Sequence, residues 1–259
     1  MEEAAEIARE AGDLIAKRYR DRSVETETKA DGSLVTEADL ESDQLIRTRL
    51  AAVSSLPILS EEAAKAPYAD RKDWSRFWLV DPLDGTRDFV QRTGDFCVCI
   101  GLIEKGEPVL GVVHAPMLET TWMSVRGGPV LRWQAGQTMT LPAARPRHPP
   151  QVALVSRFHR KGGGTDRYLE ALGVQEVEKF GSAIKFGKMA EGLADVYVRL
   201  GPTMEWDVGA GDCIVRSAGL EVVEPGSGTR LRYNKKELRN PSFIVRAPSE
   251  APPPAPDEA

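Results

Sequence analysis

The acidic segment Asp-Pro-Leu-Asp-Gly-Thr, residues 81–86, is the part of the sequence best suited to chemistry. Asp81 and Asp84 directly follow the apolar run of residues 77–80, which predicts a buried strand. Pro82 has no amide donor, so the Leu83 carbonyl is free to turn inward beside the two carboxylates. Mg²⁺ prefers oxygen ligands and takes a few carboxylates together with waters and substrate phosphate oxygens. The segment therefore predicts an oxygen-lined Mg²⁺ site.

Gly85 and Thr86 open a predicted helix directly after the two aspartates. The free amides and the positive dipole end of a helix start suit an anionic phosphate. The alternative is that Asp81 and Asp84 only form a turn and cap this helix, as Asp-Pro and Asp-Gly usually do.

The neighbouring pair Glu61 and Glu62 favours the metal-binding alternative. Both follow a second short apolar run, residues 57–60. Neighbouring strand ends of an α/β sheet converge on one crevice. Carboxylates crowded there repel one another, so a cation is the natural compensation.

Two further acidic motifs match ordinary helix starts. Residues 36–39, Thr-Glu-Ala-Asp, fit a capping box in which Asp39 reaches back to the Thr36 amide. Asp207, which follows Trp206, is expected to be the N-cap of a helix running to Ala218. Considered alone, each motif predicts a cap rather than a catalytic group.

The cysteines and histidines favour few other chemistries. Cys97 and Cys99 lie in a strand-like run, where both side chains point to one face, and we interpret them as a buried structural pair rather than a metal site. With Cys213 they form a small, odd set, which disfavours a disulfide framework and favours a reducing compartment. The sequence has no H-E-x-x-H or G-x-S-x-G motif, so a zinc protease or serine hydrolase is disfavoured.

The overall composition is that of a globular protein. The chain has 259 residues, 41% hydrophobic and 28% charged, with a net charge of −5. Long nucleic acid is not an expected partner, because binding its phosphates needs a basic face. The N-terminus shows no signal peptide, and no apolar run approaches the roughly 20 residues of a membrane helix. We therefore expect a cytoplasmic protein with no membrane span.

Strand and helix patterns interleave along the chain, which predicts a layered α/β fold. Helical spacing predicts helices at residues 3–20, 36–50, 182–194 and 207–218. Apolar or alternating runs predict strands at residues 57–60, 77–80, 97–103, 109–115, 121–126, 152–155, 196–199 and 243–246, with antiparallel pairing in the 97–126 region.

Proline and glycine clusters predict the boundaries between these elements. Four prolines in residues 141–150 predict an N-terminal half, residues 1–147, and a C-terminal half, residues 148–246. Residues 247–259 are rich in Pro, Ala and acids and are expected to form a disordered tail. Residues 29–33 predict a turn, and the glycine-rich residues 161–165 predict a flexible loop rather than a phosphate-binding loop.

Together the acidic motifs resemble those of the inositol monophosphatase superfamily of metal-dependent, lithium-sensitive phosphatases. The matching segments, in the family's order, are Val-Thr-Glu-Ala-Asp (35–39), Ser-Glu-Glu (60–62), Asp-Pro-Leu-Asp-Gly-Thr (81–86) and Trp-Asp (206–207). The sequence is most similar to the CysQ branch, the 3'(2'),5'-bisphosphate nucleotidases, in residues 86–89, 156–159, 181–185, 201–207 and 233–243. It departs from the family pattern at Val208-Gly209 and at Phe158.

The resemblance implies a layered α/β/α/β/α sandwich and removal of the 3'-phosphate of adenosine 3',5'-bisphosphate, giving AMP and phosphate; the sulfated analogue is a further substrate to test. It implies about two or three Mg²⁺ ions. The implied metal ligands are Glu61, Asp81, the Leu83 carbonyl, Asp84 and Asp207. The implied catalytic residues are Asp39, Thr86 and Glu61. Expected substrate contacts are Leu83, Asp84, Gly85, Thr86, Ser182 and Asp207, with Lys185 or Arg157 at the second phosphate.

Two other functions stay open at this point. The same metal chemistry would serve inositol 1-phosphate or fructose 1,6-bisphosphate, and the chain could instead be a divalent-cation or phosphonucleotide binding protein without turnover. The expected partner in each case is a small phosphorylated molecule, most simply a nucleotide, bound by a monomer or homodimer.

Overall fold

The computed structural model describes residues 1–21, 26–28, 34–249 and 254–255. Its helices are α1 (Glu2–Asp21), α2 (Glu37–Val53), α3 (Tyr68–Arg71), α4 (Thr86–Val90), α5 (Gly164–Ala171), α6 (Ile184–Ala190) and α7 (Glu205–Ser217), with a 3₁₀ turn at Pro116–Leu118. Its strands are β1 (Thr26–Thr28), β2 (Leu34–Thr36), β3 (Ile58–Ser60), β4 (Arg76–Asp84), β5 (Cys97–Glu104), β6 (Glu107–Ala115), β7 (Thr120–Val125), β8 (Leu131–Gln134), β9 (Gln137–Thr140), β10 (Val152–Ser156), β11 (Glu176–Phe180), β12 (Val196–Arg199), β13 (Thr203–Met204), β14 (Glu221–Val223), β15 (Arg239–Asn240) and β16 (Phe243–Arg246).

A seven-stranded sheet runs in the order β3-β4-β5-β6-β7-β8-β9. Strand β3 pairs parallel with β4, and every later neighbour is antiparallel. From β5 onwards the strands are joined by short connections, which predict this antiparallel pairing. The alternation of β5 points Val98 and Ile100 to one face and Cys97 and Cys99 to the other. Both faces are covered, so nearly every residue of β5 is buried.

A second sheet of five strands runs in the order β11-β10-β12-β16-β14. Strand β10 pairs parallel with β11 and with β12, and β16 pairs antiparallel with β12 and β14. Short two-stranded ladders join β1 to β2 and β13 to β15. The proline-rich residues 141–150 lie between the two large sheets in sequence, and the division of the chain into two halves stays a prediction.

The helices complete five layers. Helices α1 and α2 pack on one face of the seven-stranded sheet through Ile7, Ile15 and Ile46. Helices α6 and α7 fill the space between the two sheets, where Phe186 and Ile214 are buried. Helix α5 covers the outer face of the five-stranded sheet. The predicted layered α/β/α/β/α sandwich is confirmed.

The backbone of helix α7 packs directly against two glycines of the seven-stranded sheet. A Cβ on Gly111 would lie 2.1 Å from the Ala210 carbonyl oxygen, and one on Gly101 would lie 3.3 Å from the Ala210 amide nitrogen. Only residues without a side chain permit this approach. The close packing fixes the height of α7 over the sheet and therefore the position of its N-terminal residues.

Several elements differ from their predictions. Helix α6 ends at Ala190 rather than Ala194, because Gly192, with φ of 76°, takes a left-handed conformation that stops the helix. Helix α7 begins two residues early, at Glu205, so Asp207 is not its N-cap. Helix α5 begins within the residues 161–165 predicted as a flexible loop.

Other elements had no usable sequence pattern. Strands β9 and β11 are almost wholly exposed and lack the apolar alternation that predicts a strand. Strands β8 and β14 and helix α5 were also not predicted. The predicted turn at residues 29–33 and most of the predicted tail, residues 250–253 and 256–259, lie outside the described residues.

All three cysteines are buried, and none of them forms a disulfide. Among the described residues, no helix combines the length and apolar character needed to cross a membrane. The cytoplasmic location stays a prediction.

Candidate active site

The first acidic residues of the site meet where β3 and β4 end. The register pairs Ser60 with Val80, and the Glu61 amide donates to the Val80 carbonyl at 3.1 Å. Glu61 therefore lies beside Asp81, as expected for the ends of neighbouring parallel strands. The alternation of β4 turns Asp81 towards α7, on the same side as Leu79.

A bulge in β4 brings the second aspartate to the same side. Asp81 pairs with Cys99 and Asp84 pairs with Cys97, so three steps along β4 match two along β5. The Leu83 amide donates to Asp81 Oδ1 at 3.1 Å. The bulge thus gathers both carboxylates and the Leu83 carbonyl at one corner.

Helix α7 supplies the third acidic element. Glu61, Asp81 and Asp207 place carboxylate oxygens within 4.8 Å of one another. The Met204 amide donates to Asp207 Oδ2 at 2.9 Å, which orients the carboxylate from the third position of the helix. Three carboxylates from β3, β4 and α7 therefore converge on one point.

The electrostatics of this cluster favour a cation. Burial, together with the negative charge of the neighbouring carboxylates, raises the pKa of Asp81 and of Asp207 well above the usual value. Burial also raises the pKa of Asp84 to about 6, although the Lys185 ammonium opposes the shift. The donors are all oxygen atoms, the set that suits Mg²⁺.

Asp39 and Thr86 form a hydrogen-bonded pair beside this corner. Asp39 Oδ2 accepts from the Thr36 amide at 2.8 Å and from Thr36 Oγ1 at 2.6 Å, so the capping prediction is confirmed. Its other oxygen, Oδ1, accepts from Thr86 Oγ1 at 3.0 Å. Thr86 Oγ1 is also 3.4 Å from the Leu83 carbonyl oxygen, which places the pair next to a predicted metal ligand. Burial raises the pKa of Asp39 despite these hydrogen bonds.

The segment before α6 closes the opposite side of the site. The Ala183 amide donates to Asp84 Oδ2 at 2.5 Å, and Ser182 adopts a left-handed conformation with φ of 45°. The Lys185 ammonium donates to the carbonyls of Ser182, at 2.5 Å, and Phe180, at 3.1 Å. Burial lowers the pKa of Lys185 to about 8, with Asp84 opposing the shift.

A cavity of about 520 Å³ opens directly beside these groups. Its wall includes Asp84, Gly85, Ser182, Lys185 and Asp207. Five of the predicted contact residues therefore share one cavity, which Asp207 joins to the carboxylate cluster. Leu83, Thr86 and Arg157 are not part of its wall.

Arg157 lies in a different setting. Its Nε donates to Asp95 Oδ2 at 2.6 Å, and Asp88 is 3.7 Å away. Asp95 Oδ2 also accepts from the Gly181 amide at 2.7 Å. Arg157 thus braces the loop that carries Ser182, and its contact with a second phosphate stays a prediction.

Sequence reasoning missed several residues of the cavity wall. Arg87 lies over the Phe158 ring, 3.9 Å from its centroid, and Tyr197 and Arg199 line the wall from β12. The only local signal was the position of Arg87 directly after Thr86. Arg199 offered none, because its place at the cavity depends on how the two sheets pack.

Residues near the C-terminus hold the start of α7. Lys235 Nζ donates to Glu205 Oε1 at 2.7 Å and to Asn240 Oδ1 at 3.0 Å. Asn240 Nδ2 donates to the Met204 carbonyl at 2.7 Å. These side chains fix the turn from which Asp207 reaches the cluster.

The five-layer sandwich and its strand-end carboxylates define a recognised class of protein. The model of the inositol monophosphatase family matches residues 1–252, and the chain belongs to that family. It is 40% identical over 248 residues to the 3'(2'),5'-bisphosphate nucleotidase CysQ of Salmonella typhimurium, covering 95% of this chain and 98% of that protein.

Two further relatives show the same similarity. The 3'(2'),5'-bisphosphate nucleotidase CysQ of Escherichia coli (strain K12) is 37% identical over the same shares of the two chains. The crystal structure of CysQ from Bacteroides thetaiotaomicron, a bacterial member of the family, superposes with a TM-score of 0.83 at 37% identity, covering 95% of this chain and 97% of that one.

Proposed function

We propose that this protein is a Mg²⁺-dependent 3'(2'),5'-bisphosphate nucleotidase that converts adenosine 3',5'-bisphosphate and water to AMP and phosphate. The observation that carries the proposal is the hydrogen bond between Thr86 and Asp39 beside the carboxylate cluster of Glu61, Asp81 and Asp207. A protein that only bound cations or nucleotides would have no need of such a pair. The similarity to CysQ proteins over 95% of the chain supports the choice of substrate.

The donor set fits Mg²⁺. Glu61, Asp81 and Asp207 would share it, with Asp84 and the Leu83 carbonyl at the same corner, and we propose about two or three ions per site. When bound, Mg²⁺ neutralises negative charge and makes water more acidic. The repulsion that raises the pKa of the aspartates is then relieved.

Thr86 and Asp39 would orient and deprotonate the attacking water. Thr86 Oγ1 donates its proton to Asp39, so its lone pairs are free to accept a hydrogen bond from water. A proton can pass from water to Thr86 while the Thr86 proton passes to Asp39. The water oxygen would bond to the 3'-phosphorus as the bond from phosphorus to the ribose 3'-oxygen breaks. The departing oxygen would take a proton from a solvent water, and the proton held by Asp39 would return to solvent.

The remaining cavity residues would hold the substrate. Gly85 and Ser182 lie beside Asp84 at the metal end, where the 3'-phosphate must be. The cationic side chains of Arg87, Lys185 and Arg199 lie along the wall and suit a second phosphate.

A phosphate-release panel tests the function. The substrates are adenosine 3',5'-bisphosphate, its sulfated analogue, inositol 1-phosphate and fructose 1,6-bisphosphate, each with and without Mg²⁺. We expect the first to be cleaved fastest and only with Mg²⁺, and Li⁺ to inhibit. Faster cleavage of a sugar or inositol phosphate would reassign the substrate, and no release from any of them would leave a binding protein.

Asp207→Asn tests the metal assignment. The variant should need much more Mg²⁺ for half-maximal activity, and Mg²⁺ should no longer raise its Tm. Asp13→Asn is the charge-matched control, because Asp13 is exposed on α1, across the sheet from α7. Equal Mg²⁺ dependence in both variants would contradict the assignment.

A further inference from the structure

A second group of metal-ligating side chains lies directly behind the carboxylate corner. The Sγ atoms of Cys97 and Cys99 are 3.8 Å apart, and Cys97 Sγ is 4.0 Å from Asp84 Oδ2. One ligand atom from each of the three residues lies within 4.8 Å of the others. Two sulfurs and a carboxylate thus face one point.

The spacing suits a tetrahedral cation. With Zn–S bonds of about 2.3 Å and tetrahedral angles, two thiolates on one zinc ion lie roughly 3.8 Å apart. The two sulfurs have this separation in the fold as it stands.

The ligand types differ from those of the Mg²⁺ corner. Thiolates are soft ligands that select zinc and similar cations, whereas Mg²⁺ selects oxygen. The two sites meet at Asp84, whose carboxylate belongs to both.

The sulfurs lie directly behind the cavity wall. Asp84 and Ser182 line the cavity, and Cys97 Sγ is 3.4 Å from Ser182 Oγ. Cys97 Sγ is also 4.0 Å from the carboxylate of Asp84, the second of these wall residues. Cys97 is therefore the cysteine of the pair that contacts the cavity wall.

We propose that Cys97, Cys99 and Asp84 form a site for a thiophilic divalent cation, with Zn²⁺ as the representative ion, and that its occupation inhibits the enzyme. The two thiols release their protons to solvent as the cation binds, and no oxidation or reduction takes place. Inhibition follows because the cation withdraws Asp84 from the Mg²⁺ corner. The inhibition rests on the proposed function, whereas the binding does not.

The first experiment measures binding without any substrate. Co²⁺ is added to the purified full-length chain, and absorption from thiolate-to-cobalt charge transfer is recorded, followed by displacement with Zn²⁺. We expect thiolate absorption in the parent protein and its loss in Cys99→Ser and in Cys97→Ser. Co²⁺ binding to the parent without thiolate absorption would overturn the proposal, whether or not either variant folds.

Cys213→Ser is the matched control. Cys213 is a buried thiol on α7, with its Sγ 3.6 Å from Ser124 Oγ and no place in the cluster. Its replacement removes one buried thiol, and the cobalt spectrum of the variant should be the same as that of the parent protein. Loss of the spectrum in Cys213→Ser would assign the absorption to another site and overturn the proposal.

The second experiment measures inhibition. Phosphate release is followed at fixed Mg²⁺ over a series of Zn²⁺ concentrations, and each variant is compared with its own rate without Zn²⁺. Removing one ligand should raise the half-inhibiting Zn²⁺ concentration by at least about tenfold, since losing even a supporting residue weakens metal binding about 10- to 100-fold. An unchanged value in Cys97→Ser and Cys99→Ser would show that Zn²⁺ acts at the Mg²⁺ corner. An inactive parent that still shows the cobalt spectrum would refute the nucleotidase proposal but not the site.

Discussion

Replacing Asp39 by Asn separates the structural role of this side chain from its catalytic role. Asp39 Oδ2 accepts two hydrogen bonds from Thr36, and Oδ1 accepts one from Thr86. If the amide oxygen of Asn takes the Oδ2 position, both bonds from Thr36 survive. The amide nitrogen then faces Thr86, whose hydroxyl can turn to accept a hydrogen bond from it. The amide of the introduced Asn cannot take up a proton, so the variant has no base at this position.

The structural role predicts a small loss of stability, and the catalytic role predicts a large loss of turnover. The stability loss should be about 1 kcal/mol, the usual value of one helix cap, and removal of the buried negative charge offsets part of it. Turnover should fall by about 10²- to 10⁴-fold, the range for loss of a general base. Mg²⁺ dependence should not change, because Asp39 is not a proposed metal ligand.

The assay is kcat on adenosine 3',5'-bisphosphate at saturating Mg²⁺, with thermal unfolding measured in parallel. Thr36→Val is the matched control, since it removes a hydroxyl donor to Asp39 and keeps the carboxylate. It should lose a similar amount of stability but less than about threefold in kcat. A folded Asp39→Asn protein with kcat within about threefold of the parent would refute the role of Asp39 as base.

Three other variants test packing, proton linkage and the cavity wall. Gly111→Ala should destabilise the folded protein by about 2 to 3 kcal/mol, because its Cβ would lie 2.1 Å from the Ala210 carbonyl oxygen. Gly163→Ala is the control, because a Cβ there would meet nothing within 4 Å. Similar Tm values for the two variants would contradict the packing argument. Burial lowers the pKa of His114 from 6.5 to about 4, so acidification from pH 7 to 4.5 protonates the unfolded chain first and removes about 2 kcal/mol of stability. His114→Gln should lose that part of the pH dependence in urea unfolding, and an unchanged slope would rule out His114 as its source. Arg87→Ala should raise KM for adenosine 3',5'-bisphosphate about tenfold at nearly constant kcat, because the variant loses one charge-assisted hydrogen bond to the substrate. A fall in kcat alone would instead place Arg87 at the reacting phosphate.

The sequence predicted the elements that bury an apolar face and the residues that follow them. Strands β4 and β5 and helices α1 and α7 have strong apolar patterns. Glu61 and Asp81, which follow the predicted strands at residues 57–60 and 77–80, lie beside each other as strand-end geometry predicts. Strands β9 and β11 were not predictable, because they are exposed and are held by hydrogen bonds to neighbours rather than by an apolar face. Arg199 was missed for a related reason, since packing of one sheet against the other brings it to the cavity.

Asp39 and Asp207 each stabilise a helix start and also belong to the site, Asp207 from the third helical position rather than as the predicted N-cap. Asp39 uses one oxygen to hold the start of α2 and the other to hold Thr86. Asp207 holds the Met204 amide at the start of α7 and also joins the carboxylate cluster. A carboxylate at the third position of a helix is anchored by the cap, so it keeps a fixed direction without a further supporting residue. A capping pattern in the sequence therefore does not decide between a structural and a catalytic role. The role is decided by the residue that contacts the carboxylate oxygen not used by the cap.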